Sequence, residues 1–484
     1  MNYWAREPFE AFIRDNHFEV IDPGPLQAPI LAFKLTRNEK LEIVINTVGD
    51  DETDTSMQLN YSDAHRAGTV RINDDKVVLQ SVNMTTVTLS GIGSRSAVSS
   101  HNYDTGKREV REEAKIHEVF AEFSTVGQSA FTIDWLENVT DFYIWPDGII
   151  KKTESLQTLA FGREDDALTL VHKKNDFLSG RNALHLTVAG IEFYLCTSKH
   201  KKSDDQIKPG FILYRGTPDN NTRRKIRSVL SFSLGAYLVY LGRSTYTPEW
   251  KLTSFKAVTA YSIDKKVFEL PTMPPTFLSS RGRNEIYHAQ ISRLVSGLYQ
   301  NYDDLQFGSL NWAYWHALCA PLHIAAVHFG AAIEALQRRY VAVHAKDFPT
   351  KLISIKDKWT EFSGGINATI DALDIAPSAR ETMKLNVGLL NQVPRRAITD
   401  ELLKRLGLVL SEDEIEAWKR RHDAAHGNDI DPEDYPGMIR DVKLLKVLFH
   451  RMLLKIVDGS DQYFDYASLD FPLRRLSDPV PSQD

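Results

Sequence analysis

Two cysteines in 484 residues, Cys196 and Cys319, leave this chain without a disulfide framework, and neither stands at metal-ligand spacing from a second thiol. Both lie in apolar surroundings and read as buried thiols of a cytoplasmic protein. Net positive charge is missing too. A formal charge of −6 excludes nucleic-acid binding through bulk electrostatics, so any such contact must come from local basic patches. The opening residues, Met1 to Glu7, hold no signal-peptide apolar core. No apolar run is long enough for a membrane helix, which needs about 20 uninterrupted residues. The richest stretch, 313–336, is broken by His316, Pro321, His323, His328 and Glu334, and reads as the buried central helix of a bundle. The run 228–241 is too short. Internal repeats and long low-complexity segments are absent. What remains is an ordinary composition, with 42% hydrophobic and 25% charged residues, and enough length for two or three domains with substantial cores.

The pattern changes character near residue 275. Before it, short β-branched and aromatic runs alternate with Gly, Asn and Asp turns: 41–45, 69–72, 76–79, 85–89, 131–135, 184–188, 192–195, 211–214 and 255–258. This predicts an antiparallel β domain, sandwich or barrel-like, interrupted by one amphipathic helix at about 221–236. The proline-rich segment 271–275 reads as a stiff turn or linker. After it, helical periodicity predicts helices at about 283–299, 312–344, 350–362, 379–391, 395–407, 411–426 and 436–457. The expected organisation is therefore α+β: a strand-rich domain over 1–270, a linker at 271–282, an all-α helical bundle over 283–460, and a tail at 461–484. The prolines around 478–481 predict a frayed end.

The chemistry concentrates in Arg421-His422-Asp423-Ala424-Ala425-His426-Gly427. A guanidinium holds a phosphodiester through two parallel hydrogen bonds, and an imidazole moves a ribose 2′-hydroxyl proton near neutral pH. RNA carries its own nucleophile, so that pair suffices for metal-free cleavage. The spacing alone is weak, since Arg283/His288 and Arg339/His344 share it and Arg111/His117 comes within one residue. Arg339 and His344 continue a long helix, where five positions put them about 140° apart. Arg111 lies in a charge-dense run, 107–115, expected as solvated loop or exposed helix. Arg421 differs in context. Ser411 with Glu412, Asp413 and Glu414 opens a helix with a capping signal. Lys419, Arg420 and Arg421 crowd its later turns, and Gly427 is placed to end it. The plainer reading is a charged last turn with a histidine capping carbonyls.

Arg421-His422-x-x-x-His426-Gly427 resembles the signature of the HEPN superfamily, whose helical bundles include many ribonucleases of antiviral defence, toxin–antitoxin pairs and RNA processing. The resemblance covers roughly the last 200 residues in pattern, and the layout of a strand-rich region before the bundle resembles ApeA-type anti-phage proteins. It implies that Arg421 contacts the scissile phosphate, that His426 acts as acid/base and that His422 helps orient the pair. It also implies a dimer or higher homo-oligomer with two motifs at one composite cleft. Family members carry a polar residue on an earlier helix that contacts the motif, and Glu334, a lone acid on an apolar helix, is the candidate. An ion pair from Glu334 to Arg338, one turn later, competes with that assignment. Arg283-Asn284-x-x-x-His288 also fits the loose signature and is the second candidate site.

Other constellations stand beside it. His422 and His426 have zinc-pair spacing, but no glutamate follows the first histidine and no cysteine is near, so no metal and no cofactor are expected. The basic clusters are Arg223-Arg224-Lys225-Arg227, His200-Lys201-Lys202, Arg395-Arg396 and Lys404-Arg405. Each reads first as solvated surface. Arg395, Arg396, Lys419 and Arg420 are the candidates for an RNA-tracking surface, and 223–227 for a contact with RNA or a partner. Gly91-Ile92-Gly93-Ser94-Arg95-Ser96 lacks the lysine of a phosphate loop and reads as a plain turn. The combined expectation is a metal-independent endoribonuclease of abortive infection. It would cleave RNA such as tRNA to a 2′,3′-cyclic phosphate, under a strand-rich sensor that binds a phage-derived activator. Alternatives are a non-catalytic RNA- or nucleotide-binding module that mediates assembly, and a carbohydrate-binding strand domain on an oligomerising bundle.

Overall fold

The computed structural model describes residues 18–26, 29–50, 75–81, 85–101, 108–123, 127–161, 168–198, 208–263, 265–279, 285–349, 351–425 and 435–482. It shows an antiparallel β region followed by a helical region. Two compact units divide the chain: Met1–Pro274 with Leu278–Val295, and Pro275–Phe277 with Ser296–Asp484. The expected linker is therefore split between them, and each part is anchored. Met273 donates its amide to the Gly235 carbonyl at 3.1 Å in the first unit, and Thr276 donates its hydroxyl to the Gln462 carbonyl at 2.8 Å in the second.

The first unit is one hydrogen-bonded antiparallel sheet. Its strands are β1 (Phe18–Asp22), β2 (Ile30–Arg37), β3 (Ile43–Asp50), β4 (Lys76–Ser81), β5 (Thr86–His101), β6 (Arg108–Glu122), β7 (Phe131–Glu137), β8 (Asp147–Phe161), β9 (Leu168–Val188), β10 (Ile191–Thr197), β11 (Gly210–Arg215), β12 (Val239–Tyr246) and β13 (Leu252–Val258). The order is β1-β4-β5-β6-β13-β12-β7-β11-β10-β9-β8, with β2-β3 branching from β6. Among the described residues no pairing closes β1 onto β8, and all thirteen strands belong to one hydrogen-bonded sheet. The strand expected at 69–72 lies outside the described residues.

β6 explains the branch and corrects two expectations. Its charge-dense run is a strand, because Val110, Glu112, Ala114 and Ile116 alternate inward while Arg111, Glu113 and Lys115 face solvent. The inward parity changes at His117, where pairing passes from β3 (to Ile116) to β13 (from Glu118). Opposite this point Gly91 takes φ +67°, and a Cβ there would meet His117 Cβ at 2.6 Å. The Gly91–Ser96 stretch is thus mid-strand, bent by a bulge between Gly93 and Arg95, and not a turn. Leu35, Ile43, Ile45, Leu79, Leu89, Val119 and Phe255, from both arms of the branch, bury into one core.

Helix α1 (Asn220–Leu234) is capped by Asp219, whose side chain accepts from the Asn221 and Thr222 amides, and ends at Gly235 in the left-handed conformation. Arg223 and Arg227 do not face a partner. Both are buried and ion-paired with the fully buried Asp134 of β7, and Arg227 lies 4.1 Å over the Tyr240 ring. These cations pin α1 to the sheet, which corrects their candidacy for RNA. The cluster at 200–202 lies outside the described residues.

Eight further α-helices follow among the described residues: α2 (His288–Gln300), α3 (Phe307–Cys319), α4 (Leu322–Val343), α5 (Lys356–Asp371), α6 (Pro377–Leu389), α7 (Arg395–Leu406), α8 (Glu412–Ala425) and α9 (Tyr435–Ile456). The single helix expected at 312–344 is two. Pro321 lacks the amide needed to continue α3 and instead caps the start of α4. In the helical unit α4 packs against α3, α8 and α9. The most enclosed segment is not 313–336 but Leu444–Leu454 of α9, where even Lys446, His450 and Arg451 are buried. The tail is ordered: β14 (Gln462–Phe464) pairs with β15 (Leu473–Arg475), Tyr463 donates to the Asp478 carbonyl at 3.0 Å, and Val480 is buried. Among the described residues no helix is long and apolar enough to cross a membrane. Cys196 and Cys319 are both buried and neither forms a disulfide.

Candidate functional site

Arg421 lies late in α8, whose start is a reciprocal cap. The Ser411 amide donates to Glu414 Oε2 at 2.9 Å, and the Glu414 amide donates to Ser411 Oγ at 3.3 Å. Glu414 also accepts from Arg451 of α9 at 2.6 Å, both side chains being fully enclosed. Burial pushes the Glu414 carboxyl above its usual range, and the Arg451 charge opposes that shift. Arg451 further donates to the carbonyls of Val409 (2.7 Å) and Leu476 (3.1 Å), so one guanidinium ties together the turn before α8, helix α9 and the tail. Sequence reasoning missed this clamp, since Arg451 looks like any surface arginine of an amphipathic helix.

The clamp fixes α8, and α8 presents Arg421 to α4. Arg421 Nη2 donates to Glu334 Oε1 at 2.7 Å, and Nη1 donates to the Trp418 carbonyl. The guanidinium carbon stacks 3.4 Å from the Trp418 ring centroid. Arg421 is only 8% exposed. Space for it exists because residue 330 is glycine: a Cβ there would stand 2.5 Å from Arg421 Cδ. Glu334 therefore meets Arg421 and not Arg338, the competitor one turn on, which has no hydrogen-bond or ion-pair partner among the described residues. Glu334 Oε2 also accepts from Arg395 Nη1 at 3.4 Å, bringing the start of α7 to the same carboxylate.

The remaining candidates divide. Arg395 is largely exposed and reaches Glu334, and Arg396 is exposed beside it. Arg420 is spent on Asp441 through bonds of 2.7 and 2.5 Å, and Lys419 on Glu416 at 2.6 Å. Both side chains remain more than half exposed, so these ion pairs are surface contacts. Arg405 is likewise held by Glu401 at 2.9 Å. His422 belongs to α8, but its side chain, like all of His426 and Gly427, lies outside the described residues, as does Arg283. His288, of the second candidate site, is bonded through Nε2 to the His185 carbonyl within the first unit. Arg339 points into a surface cavity, while His344 lies against the Tyr340 ring at 4.3 Å, so the two do not converge.

Chemically, two of the five N–H groups of Arg421 are used and its charge is balanced by one shared carboxylate, leaving a stacked, oriented fork. Searches against protein-family models, curated proteins and solved structures returned no match for this chain.

Proposed function

We propose that the helical unit is a metal-independent endoribonuclease of an anti-phage, abortive-infection system, with Arg421 and His426 as its working pair. The observation that carries this reading is the Arg421–Glu334 contact at 2.7 Å. An arginine five residues before a histidine is held by an acid from another helix, stacked on Trp418, and seated over a glycine. Preorganisation of this kind is what stabilisation of a phosphorane-like transition state requires. In the proposed reaction the 2′-oxygen of RNA bonds to the adjacent phosphorus as the bond to the leaving 5′-oxygen breaks. His426 takes the 2′-hydroxyl proton or delivers one to the 5′-oxygen, and its counterpart in a second copy takes the other task. The products are a 2′,3′-cyclic phosphate and a 5′-hydroxyl. A structured substrate such as tRNA, a homo-oligomeric state, a cytoplasmic location and regulation by an activator bound to the strand-rich unit belong to the same proposal. It rests on the resemblance to the HEPN superfamily together with this contact.

One observation favours a second reading. Arg421 is nearly enclosed and ion-paired, as a purely structural arginine would be, which fits an RNA- or nucleotide-binding module without catalysis. Labelled RNA incubated in EDTA with wild type, Arg421→Ala and His426→Ala separates the two. Cleavage by wild type alone supports the nuclease. Equal cleavage by all three ends the assignment, and binding without cleavage favours the module.

A further inference from the structure

The helical unit holds a cavity of about 250 Å³ between the start of α3 and the last turns of α4. Its polar lining is Gln306, Ser309, Arg338 and Arg339, with Ala335 and two leucines of the 305–310 segment completing the wall. Among the described residues no carboxylate lines it. That matters because three other arginines near α4 each reach a carboxylate: Arg395 and Arg421 share Glu334, and Arg405 pairs with Glu401. Arg338 and Arg339 have no hydrogen-bond or ion-pair partner among the described residues, although Glu334 stands at the favourable i−4 position to Arg338. Glu334 is occupied by Arg421, and this releases Arg338. Two adjacent guanidiniums without a counter-charge at one concavity, beside a hydroxyl and a carboxamide, form an anion-seeking site whose forks suit a phosphate.

We propose that this cavity binds a backbone phosphate of single-stranded RNA. Arg338 lies about 6 Å along the α4 axis from Glu334 and about 40° around it. It therefore links the cavity to the Arg421 site along one helix face. The proposal deepens the ribonuclease reading, and rests on it only for the identity of the strand. In that role the cavity anchors substrate one step from the reacting phosphate, and Arg338 and Arg339 supply affinity without touching the reacting atoms.

The test is fluorescence anisotropy of a labelled 2′-O-methyl RNA oligonucleotide, which lacks the nucleophile and is not cleaved, titrated with the full chain across a salt series. Arg338→Ala/Arg339→Ala is expected to weaken binding at least tenfold and to flatten the slope of log K against log salt by about 0.7 for each phosphate no longer neutralised. Arg338→Lys/Arg339→Lys keeps the charge, gives up the planar forks and is expected to fall between. Lys356→Ala/Lys358→Ala removes equal charge from exposed positions of α5 and serves as the control. The proposal is overturned if the cavity variant binds like wild type, or is weakened no more than the α5 variant with circular dichroism unchanged. It is also overturned if wild type ignores the oligonucleotide while a 5′-mononucleotide binds with the same arginine dependence. Failure of the two readings is distinguishable. Arginine-dependent binding with no RNA cleavage removes the nuclease and keeps the cavity, whereas Arg421-dependent cleavage with cavity-independent binding does the reverse.

Discussion

Replacing Gly330 with alanine moves Arg421 without altering any charge, and the structure gives the size of the effect. The new Cβ would stand 2.5 Å from Arg421 Cδ and 3.1 Å from Nε, against the roughly 3.5–4 Å of ordinary carbon contact. Arg421 must retreat by about 1 Å, which stretches its 2.7 Å bond to Glu334 beyond useful range. A charged hydrogen bond is worth about 1.5–3 kcal/mol. Alanine returns about 1 kcal/mol of helix propensity at a mid-helix position. The net cost is then about 0.5–2 kcal/mol, well inside the stability of an ordinary domain. The proposed RNA cleavage is more sensitive, since a displacement of about 1 Å in a catalytic constellation costs on the order of 100-fold. RNA cleavage by Gly330→Ala is therefore expected to fall about 100-fold at a temperature where circular dichroism shows a native helical signal. Wild-type cleavage by Gly330→Ala beside an inactive Arg421→Ala would refute the claim that the Glu334 contact positions this guanidinium.

Other expectations follow from the buried ion pairs. Arg451→Met leaves Glu414 enclosed without its counter-charge and is expected to cost about 3–5 kcal/mol in urea unfolding. The double variant Glu414→Gln/Arg451→Met should recover a good part of that deficit, and strict additivity would show that the two side chains do not communicate. In the strand-rich unit, Asp134→Asn strands two buried guanidiniums and is expected to unfold that unit or destabilise it by a similar amount. A wild-type melting profile by near-ultraviolet circular dichroism would contradict the pinning of α1 through Asp134.

The fold class was legible because it rests on period. β6 shows both the strength and the limit of that signal. Its alternation is regular over 110–116, yet the charges on its outer face mimic a solvated loop, and only pairing on both edges reveals a central strand. The Arg223/Arg227 pair failed for the opposite reason. A basic run at a helix start looks exposed unless one knows that Asp134, 89 residues earlier than Arg223, lies beneath it. At the candidate site, Glu334 stands out as a lone acid on an apolar helix, and local spacing favours Arg338 as its partner. The choice was made by packing: Gly330 lets α8 approach α4, and approach brings Arg421 within 2.7 Å. Tertiary proximity of this kind has no period and leaves no mark in a single chain, which is also why the clamp at Arg451 was invisible.

The buried bases of α9 carry a pH dependence whose sign follows from the same enclosure. Burial draws the Lys446 amine from 10.5 down to about 7, and the Lys443 charge adds to the effect. The ammonium lies 4.3 Å over the Tyr466 ring. One turn on, His450 accepts or donates through Nε2 to the Tyr314 hydroxyl at 3.0 Å, and burial, then the Lys446 charge, holds its imidazole well below the usual range. Both groups bind protons more readily in the unfolded chain than in the folded one. Stability therefore declines as pH falls, first between 10.5 and about 7 through Lys446, then below 6.5 through His450. Each pH unit across the first window is worth at most about 1.4 kcal/mol. Between pH 7 and 9.5 the urea midpoint of the far-ultraviolet signal is expected to rise in wild type and to stay flat in Lys446→Met, which should be the more stable protein at pH 7. Parallel pH profiles for the two proteins would mean that Lys446 keeps its proton in the folded chain, and that the aromatic face of Tyr466 compensates the burial in full.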